Sequence, residues 1–457
     1  MPIATVDPTT GRTLKTFDAL SAADLEDRLA RAAAAAVTYR TTTFDQRAGW
    51  AQTAADLLET DRASLADLMT TEMGKTLAAA RAEVSKCATG LRYYAEHAPT
   101  MLADVEADAE AVGASRALTR YQPLGVVLAV MPWNYPLWQA MRFAAPALMA
   151  GNVALLKHAS NVPQTALWLE ELFRQAGFPT DVFQTLLIGS DQVESVLRDR
   201  RVAAATLTGS TPAGKAVAAV CGEELKPVVL ELGGSDPFVV LPSADVARAA
   251  EVAATARCQN NGQSCIAAKR FIVHTDVYDE FSALFLGRLA AQVLGDPKQD
   301  STTIGPLATE QGRSDVHDLV EDARARGAQV LLGGEVPDGP GWFYPATLVE
   351  GVTPAMRLWS EEAFGPVATL VRVGSLEEAI DVANDTDFGL GSNVWTREVQ
   401  EADRFVDEVQ AGMVFVNGMT TSYPELPFGG IKTSGHGREL SDLGIKEFCN
   451  AKTVWVG

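Results

Sequence analysis

Short β-branched apolar runs recur along the chain, and each is followed by a stretch whose apolar positions return at helical spacing. Residues 125–131, 152–156, 182–188 and 203–207 read as buried strands, separated by helix candidates at 163–176, 191–199 and 212–221. That alternation predicts a mostly parallel sheet covered on both faces. Ahead of it, the first hundred residues look helical: 22–36 is Ala-rich, and 46–60 and 62–97 carry helical periodicity. The pattern then restarts. Runs at 228–232 and 237–241 precede a helical stretch at 244–259, a strand at 269–274 and a helix at 277–292, with further strands at 329–332, 368–372 and 413–416. Two α/β units of roughly 200 residues each follow, joined near 230–235, a size expected of separate domains. No repeat with the period of a solenoid or propeller is present.

Composition narrows the class. Among 457 residues, Lys plus Arg number 38 against 58 for Asp plus Glu, a net charge of −20. Such an excess disfavours a phosphate-backbone partner, so no nucleic acid is expected, although a local cationic pocket can still take an anionic small molecule. The five cysteines form no CxxC pair, which suits a reducing compartment, and no His/Cys cluster has metal-ligand spacing. The uncharged stretch between Arg120 and Arg142 is broken by Pro132, Asn134 and Pro136, so it reads as buried strand and turn rather than a membrane span. The N-terminus lacks a basic segment followed by an apolar core, and a cytoplasmic location is expected.

Four local patterns carry candidate chemistry. Cys265 follows Asn260-Asn261-Gly262-Gln263-Ser264, a polar turn that would present backbone N–H groups beside the sulfur; a thiol there is a candidate nucleophile. Cys87, Cys221, Cys258 and Cys449 read as small core residues. Glu231, at the end of an apolar strand before Gly233-Gly234, would project into the crevice at the carboxyl edge of a parallel sheet, where desolvation would raise its pKa and suit it to act as a general base. Asn134, in Pro132-Trp133-Asn134-Tyr135-Pro136, offers an amide donor to a developing oxyanion. Leu207-Thr208-Gly209-Ser210, between a strand and a helix, could seat a phosphate at the helix N-terminus. Each pattern alone also fits an ordinary turn, cap or rim ion pair.

Taken in order, these patterns resemble a family. Pro132-Trp-Asn-Tyr-Pro136, Gly209-Ser-Thr-x-x-Gly214, Glu231-Leu-Gly-Gly234, Gly262-Gln-Ser-Cys265, Glu362-Ala-Phe-Gly-Pro366 and Pro427-Phe-Gly-Gly-Ile-Lys-Thr-Ser-Gly435 occur in the order seen in aldehyde dehydrogenases, across the whole chain. The resemblance implies a Rossmann-like cofactor domain at 1–104 and 123–232, a catalytic domain at 233–440, and a small β oligomerisation element at 105–122 and 441–457 that would build a homodimer or homotetramer. It implies that Cys265 attacks the aldehyde, that Asn134 and the Cys265 N–H hold the oxyanion, and that Glu231 activates the water that hydrolyses the thioester. Trp133, Asn134, Lys157, His158, Ala159, Ser160, Gly209, Ser210, Leu232, Glu362 and Phe364 would contact the cofactor. NAD-selective members often carry a glutamate where this chain has Ser160, and with Lys157 beside it the electrostatics favours NADP, NAD also being admitted.

Within the family the chain is most similar to bacterial NADP-dependent succinate-semialdehyde dehydrogenases. Arg142 and Ser422 match two positions that hold the distal carboxylate in that group, whereas Gln259 stands where a second arginine is usual and Phe143 replaces a neighbouring lysine. The expected reaction is oxidation of succinate semialdehyde to succinate. The alternatives are a broad-range aliphatic or aromatic aldehyde dehydrogenase, a relative that releases its acyl group to coenzyme A or phosphate, and a catalytically silent binding protein.

Overall fold

The computed structural model describes residues 2–457. A hairpin of β1 (Ile3–Asp7) and β2 (Arg12–Phe17) opens the chain, followed by helices α1 (Ala22–Tyr39), α2 (Phe44–Thr60), α3 (Arg62–Met73) and α4 (Leu77–Met101). The sequence reading had assigned only helices to this region. The hairpin escapes a periodicity search because β2 is exposed up to the half-buried Phe17 and buries no alternate face. Ser21 with Asp24 and Thr43 with Gln46 form reciprocal caps that fix where α1 and α2 begin.

Strands β3 (Val105–Glu106) and β4 (Arg116–Pro123) lead into an α/β run: β5 (Val126–Met131), α5 (Trp138–Ala150), β6 (Val153–His158), α6 (Pro163–Gln175), β7 (Phe183–Thr185), α7 (Val193–Arg198), β8 (Val202–Thr208), α8 (Thr211–Glu223) and β9 (Val228–Glu231). The second run is β10 (Asp236–Val240), α9 (Val246–Cys258), β11 (Ala268–His274), α10 (Thr275–Ala290), α11 (Glu310–Ala325), β12 (Gln329–Leu332), β13 (Thr347–Glu350), α12 (Arg357–Ser360), β14 (Val367–Val373), α13 (Leu376–Asn384), β15 (Asn393–Trp395), α14 (Val399–Glu408) and β16 (Phe415–Val416). Strand β17 (Gly435–His436), α15 (Ser441–Lys446) and β18 (Cys449–Val456) close the chain.

The first sheet is six-stranded in the order β17-β9-β8-β5-β6-β7 and the second seven-stranded in the order β12-β13-β14-β11-β10-β15-β16. Pairings within each are parallel except β17 with β9 and β12 with β13. The change of sheet falls between β9 and β10, where the apolar pattern restarts. Strand β17 departs from the expected two-part division: it lies late in the second run yet pairs with β9 of the first sheet, Gly435 opposite Glu231. A third sheet, β18-β4-β3, stands apart; β4 and β18 pair from Arg116–Val456 to Pro123–Cys449. The β element expected at 105–122 and 441–457 is a three-stranded sheet here, although β3 spans only two residues and the C-terminal strand starts at Cys449, after α15.

Two helices of the first unit are capped by carboxylates from other helices. Glu83 of α4 accepts the Leu137 and Trp138 N–H groups at 2.9 Å each and so caps α5. Glu72 of α3 accepts the Gln164 and Thr165 N–H groups at 3.0 Å each at the start of α6. Both satisfy orphan donors and place negative charge at the positive end of a helix. Glu83 is also ion-paired to the fully buried Lys75, whose ammonium lies 4.3 Å from the Tyr135 ring centroid.

Candidate active site

Between α9 and β11 the backbone turns through three successive left-handed residues, Asn260 (φ 53°), Asn261 (φ 58°) and Gly262 (φ 76°). Asn tolerates this region better than other side chains, and a Cβ at position 262 would collide with the backbone of Gly365 and Pro366. The carbonyls that follow are then bound from behind, one after another. Gly262 O accepts from Arg257 Nη2 at 2.5 Å, Gln263 O from Asn134 Nδ2 at 3.2 Å and Asn260 Nδ2 at 3.0 Å, and Ser264 O and Cys265 O from Lys269 Nζ at 3.1 and 2.8 Å. The Cys265 N–H makes no hydrogen bond among the described residues, so it and the second N–H of Asn134 remain as donors beside the half-buried sulfur. That is the donor pair an oxyanion needs.

Glu231 is the last residue of β9 and is buried, with no hydrogen-bond partner for either carboxyl oxygen. Burial pushes it up to about 8; Arg142 pulls it down and Glu439 pushes it further up. The Arg142 guanidinium is ion-paired to the buried Glu439 and lies 4.2 Å from the Phe428 ring centroid, so most of its charge is already matched. Burial also pushes the Cys265 thiol up to about 12, against the pull of Arg142 and Lys269 and with Glu362 and Glu231 raising it. Burial thus favours the protonated form of both groups, so the thiol needs a base before it can attack.

Two cavities meet at Cys265. One, of about 280 Å³, runs past Gln139, Arg142, Gln259 and Phe428 to Ser422 and Lys86. It brings together all three expected substrate residues, Arg142, Gln259 and Ser422, with the nucleophile. At its far end the Ser422 hydroxyl receives hydrogen bonds from Lys86 Nζ at 2.7 Å and Trp138 Nε1 at 3.0 Å. The buried Oε1 of Gln139, which borders both cavities, has no partner.

The second cavity follows the carboxyl ends of β5, β8 and β9, lined by Trp133, Asn134, Gly209, Ser210, Leu232, Glu362 and Phe364 with Cys265. A further hollow on the same sheet edge lies between α7 and α8, with Lys157 of β6, Asp191 and Glu194 among its lining. This is the edge of a parallel sheet where a dinucleotide binds. The residues fit one. Lys157 is buried, and no hydrogen bond or ion pair reaches its ammonium among the described residues, so burial pushes its pKa down and an anion would relieve it. A Cβ at Gly233 would lie 2.5 Å from Glu362 Oε2, so only glycine lets that carboxylate lean over the strand end. Ser210 caps α8, and Trp133 and Phe364 meet edge to face at 5.7 Å. His158, Ala159 and Ser160 line neither the cavity nor the hollow. The His158 ring turns inward, one nitrogen 2.8 Å from Pro136 O and the other accepting the Ala159 N–H at 2.9 Å; burial holds it neutral, down to about 4. Ala159 packs against the small cluster of Met73, Val162 and Ala308, and Ser160 O accepts the Ala4 N–H at 3.0 Å.

Residues 1–454 match the aldehyde dehydrogenase family. The chain belongs to that family. This aldehyde dehydrogenase is 61% identical to succinate-semialdehyde dehydrogenase [NADP(+)] 1 of Mycobacterium tuberculosis over 456 residues, covering 100% of both chains. It is also 61% identical to succinate-semialdehyde dehydrogenase [NADP(+)] of Mycobacterium avium, covering 100% of this chain and 97% of that one. Among solved structures it resembles succinic semialdehyde dehydrogenase from Streptococcus pyogenes in complex with NADP+, with TM-score 0.96, 39% identity and 99% of each chain covered. The sequence reading of this aldehyde dehydrogenase had not singled out Lys86, Gln139, Arg257, Lys269 or Glu439. Gln139, Lys269 and Glu439 each stand three or four residues beyond a recognised motif, at Pro136, Cys265 and Gly435, whereas Lys86 is far from any of them.

Proposed function

We propose that this enzyme oxidises succinate semialdehyde to succinate, with NADP as the hydride acceptor. The observation that carries this reading is the cavity at the Cys265 sulfur, apolar over much of its lining but bordered by two cations, Lys86 and Arg142, and by the Ser422 hydroxyl. The names of the relatives at 61% identity agree with it, and the unpaired Lys157 supplies a cation suited to an extra phosphate.

The chemistry follows from the chain's own groups. Cys265 gives up its proton, for which the Glu231 carboxylate serves as base although the resting equilibrium leaves the proton on sulfur, and the sulfur attacks the aldehyde carbon. The oxygen that becomes an alkoxide is held by the Cys265 N–H and by Asn134. Trp133, Leu232 and Glu362 line the groove that would hold NADP, which when bound would supply the hydride acceptor. Loss of hydride leaves a thioester on Cys265. Glu231 takes a proton from the water that cleaves it, regenerating the thiol and releasing the acid. In domain terms we assign cofactor binding to 1–104 and 123–232, the nucleophile to 233–440, and assembly into a dimer or tetramer to 105–122 with 441–457; β17 is the part of 233–440 that returns to the first sheet.

The test is NADPH formation with succinate semialdehyde and with butanal as an uncharged aldehyde of the same chain length. Wild-type enzyme is expected to favour the former in kcat/KM, and Cys265→Ser to lose at least roughly a thousandfold on both. Equal kcat/KM for the two aldehydes would overturn the substrate assignment.

A further inference from the structure

We propose that Lys86, on helix α4, is the second cation of the substrate site: it and the Ser422 hydroxyl bind the distal carboxylate of the aldehyde, in the role left open by Gln259. This rests on the substrate reading above and names the groups that carry it out.

The hydrogen bonding of Ser422 gives the first argument. A serine hydroxyl has two lone pairs and one proton. Lys86 Nζ and Trp138 Nε1 both donate to the Ser422 oxygen, at 2.7 and 3.0 Å, so both acceptor positions are taken. The hydroxyl proton is left to donate, and only an acceptor satisfies it. Ser422 is buried and lines the cavity that leads to Cys265, so that acceptor belongs to whatever fills the cavity.

Charge gives the second. Two cations border the cavity, and they are not equivalent. Arg142 is ion-paired to buried Glu439 and stacked on Phe428. Lys86 makes no ion pair among the described residues; it touches the Ser422 hydroxyl and lies 4.7 Å from the Trp138 ring centroid. Gln259, by contrast, is neutral, and its amide donates weakly to Ala256 O at 3.4 Å. An unmatched, half-buried ammonium next to an unmatched hydroxyl proton is the arrangement a carboxylate completes. Burial, with Arg142 nearby, pushes Lys86 down to about 8, and an anion in this place offsets both effects.

The experiment compares kcat/KM for succinate semialdehyde and for butanal in wild type, Lys86→Met, Lys86→Gln and Lys86→Arg. The preference for the acid aldehyde is expected to fall roughly ten- to a hundredfold in the two neutral variants, chiefly through KM for succinate semialdehyde, and to be largely kept in Lys86→Arg. Turnover of butanal reports in each variant whether the protein is folded. If wild type prefers succinate semialdehyde and a folded neutral variant keeps that preference within twofold, the assignment to Lys86 is overturned while the substrate reading stands. If wild type shows no preference, the substrate reading fails first and the Lys86 proposal with it.

Discussion

Glu231 and Cys265 are set against each other by their surroundings. Burial lifts the carboxyl to about 8 and the thiol to about 12, so in the resting protein the proton stays on sulfur. Only deprotonated Glu231 can accept a proton, and its raised pKa means this form gains population as pH rises. The thioester-hydrolysis rate is therefore expected to climb with pH and level off above about 8. Glu231→Gln should remove that limb and lower kcat by roughly a hundredfold to ten-thousandfold. A pH profile of single-turnover deacylation measures both, and a limb that survives in Glu231→Gln would assign it to another group. At this scale much was legible in sequence, because the chemistry needs particular residue types: an Asn-Asn-Gly turn that can adopt left-handed angles, a carboxylate at a strand end, an amide after a Pro-Trp step. Lys86 was not. It lies between buried Val84 and Cys87 on an amphipathic helix, and its partner Ser422 is 336 positions away.

Helix α5 carries Trp138, Gln139 and Arg142 into the substrate cavity, and its first turn is held by a carboxylate on α4. Glu83 thus links two elements and neutralises Lys75 beneath Tyr135. Glu83→Ala would leave a fully buried ammonium without a partner, and a loss of roughly 3–5 kcal/mol of stability is expected. The double variant Lys75→Met with Glu83→Gln, which removes both charges and retains a side-chain acceptor for the cap, should lose less than Glu83→Ala. Urea unfolding of the variants measures the difference, and equal losses would show that the buried pair is not coupled. The same single change should raise KM for the aldehyde, since α5 loses its anchor at the end nearest Asn134. The helix and its strand neighbours could be read from apolar spacing, but this cap could not: Leu137, at the N-cap position, offers no capping side chain, and the carboxylate that replaces it comes from another helix.

The whole molecule ends in the sheet of β3, β4 and β18, which leaves Val105, Val112, Trp455 and Val456 about half exposed. Apolar side chains on a small sheet with open edges call for a covering surface, which supports the proposed assembly. Replacing Trp455 and Val456 by Glu and Lys is expected to shift the molar mass measured by light scattering toward a single chain, with the far-ultraviolet circular dichroism unchanged. An unaltered mass would place the interface elsewhere. The two-sheet plan was legible because each sheet repeats strand and helix in sequence order. The return of β17 was not, since two residues pairing beside β9 leave no periodic trace. That return bears on how the protein is made. Strand β17, the antiparallel partner of β9 at Glu231, emerges from the ribosome long after Cys265 and both parallel runs have been synthesised. A growing polypeptide thus carries its nucleophile for a long stretch of translation while the strand bearing its base still has a bare edge.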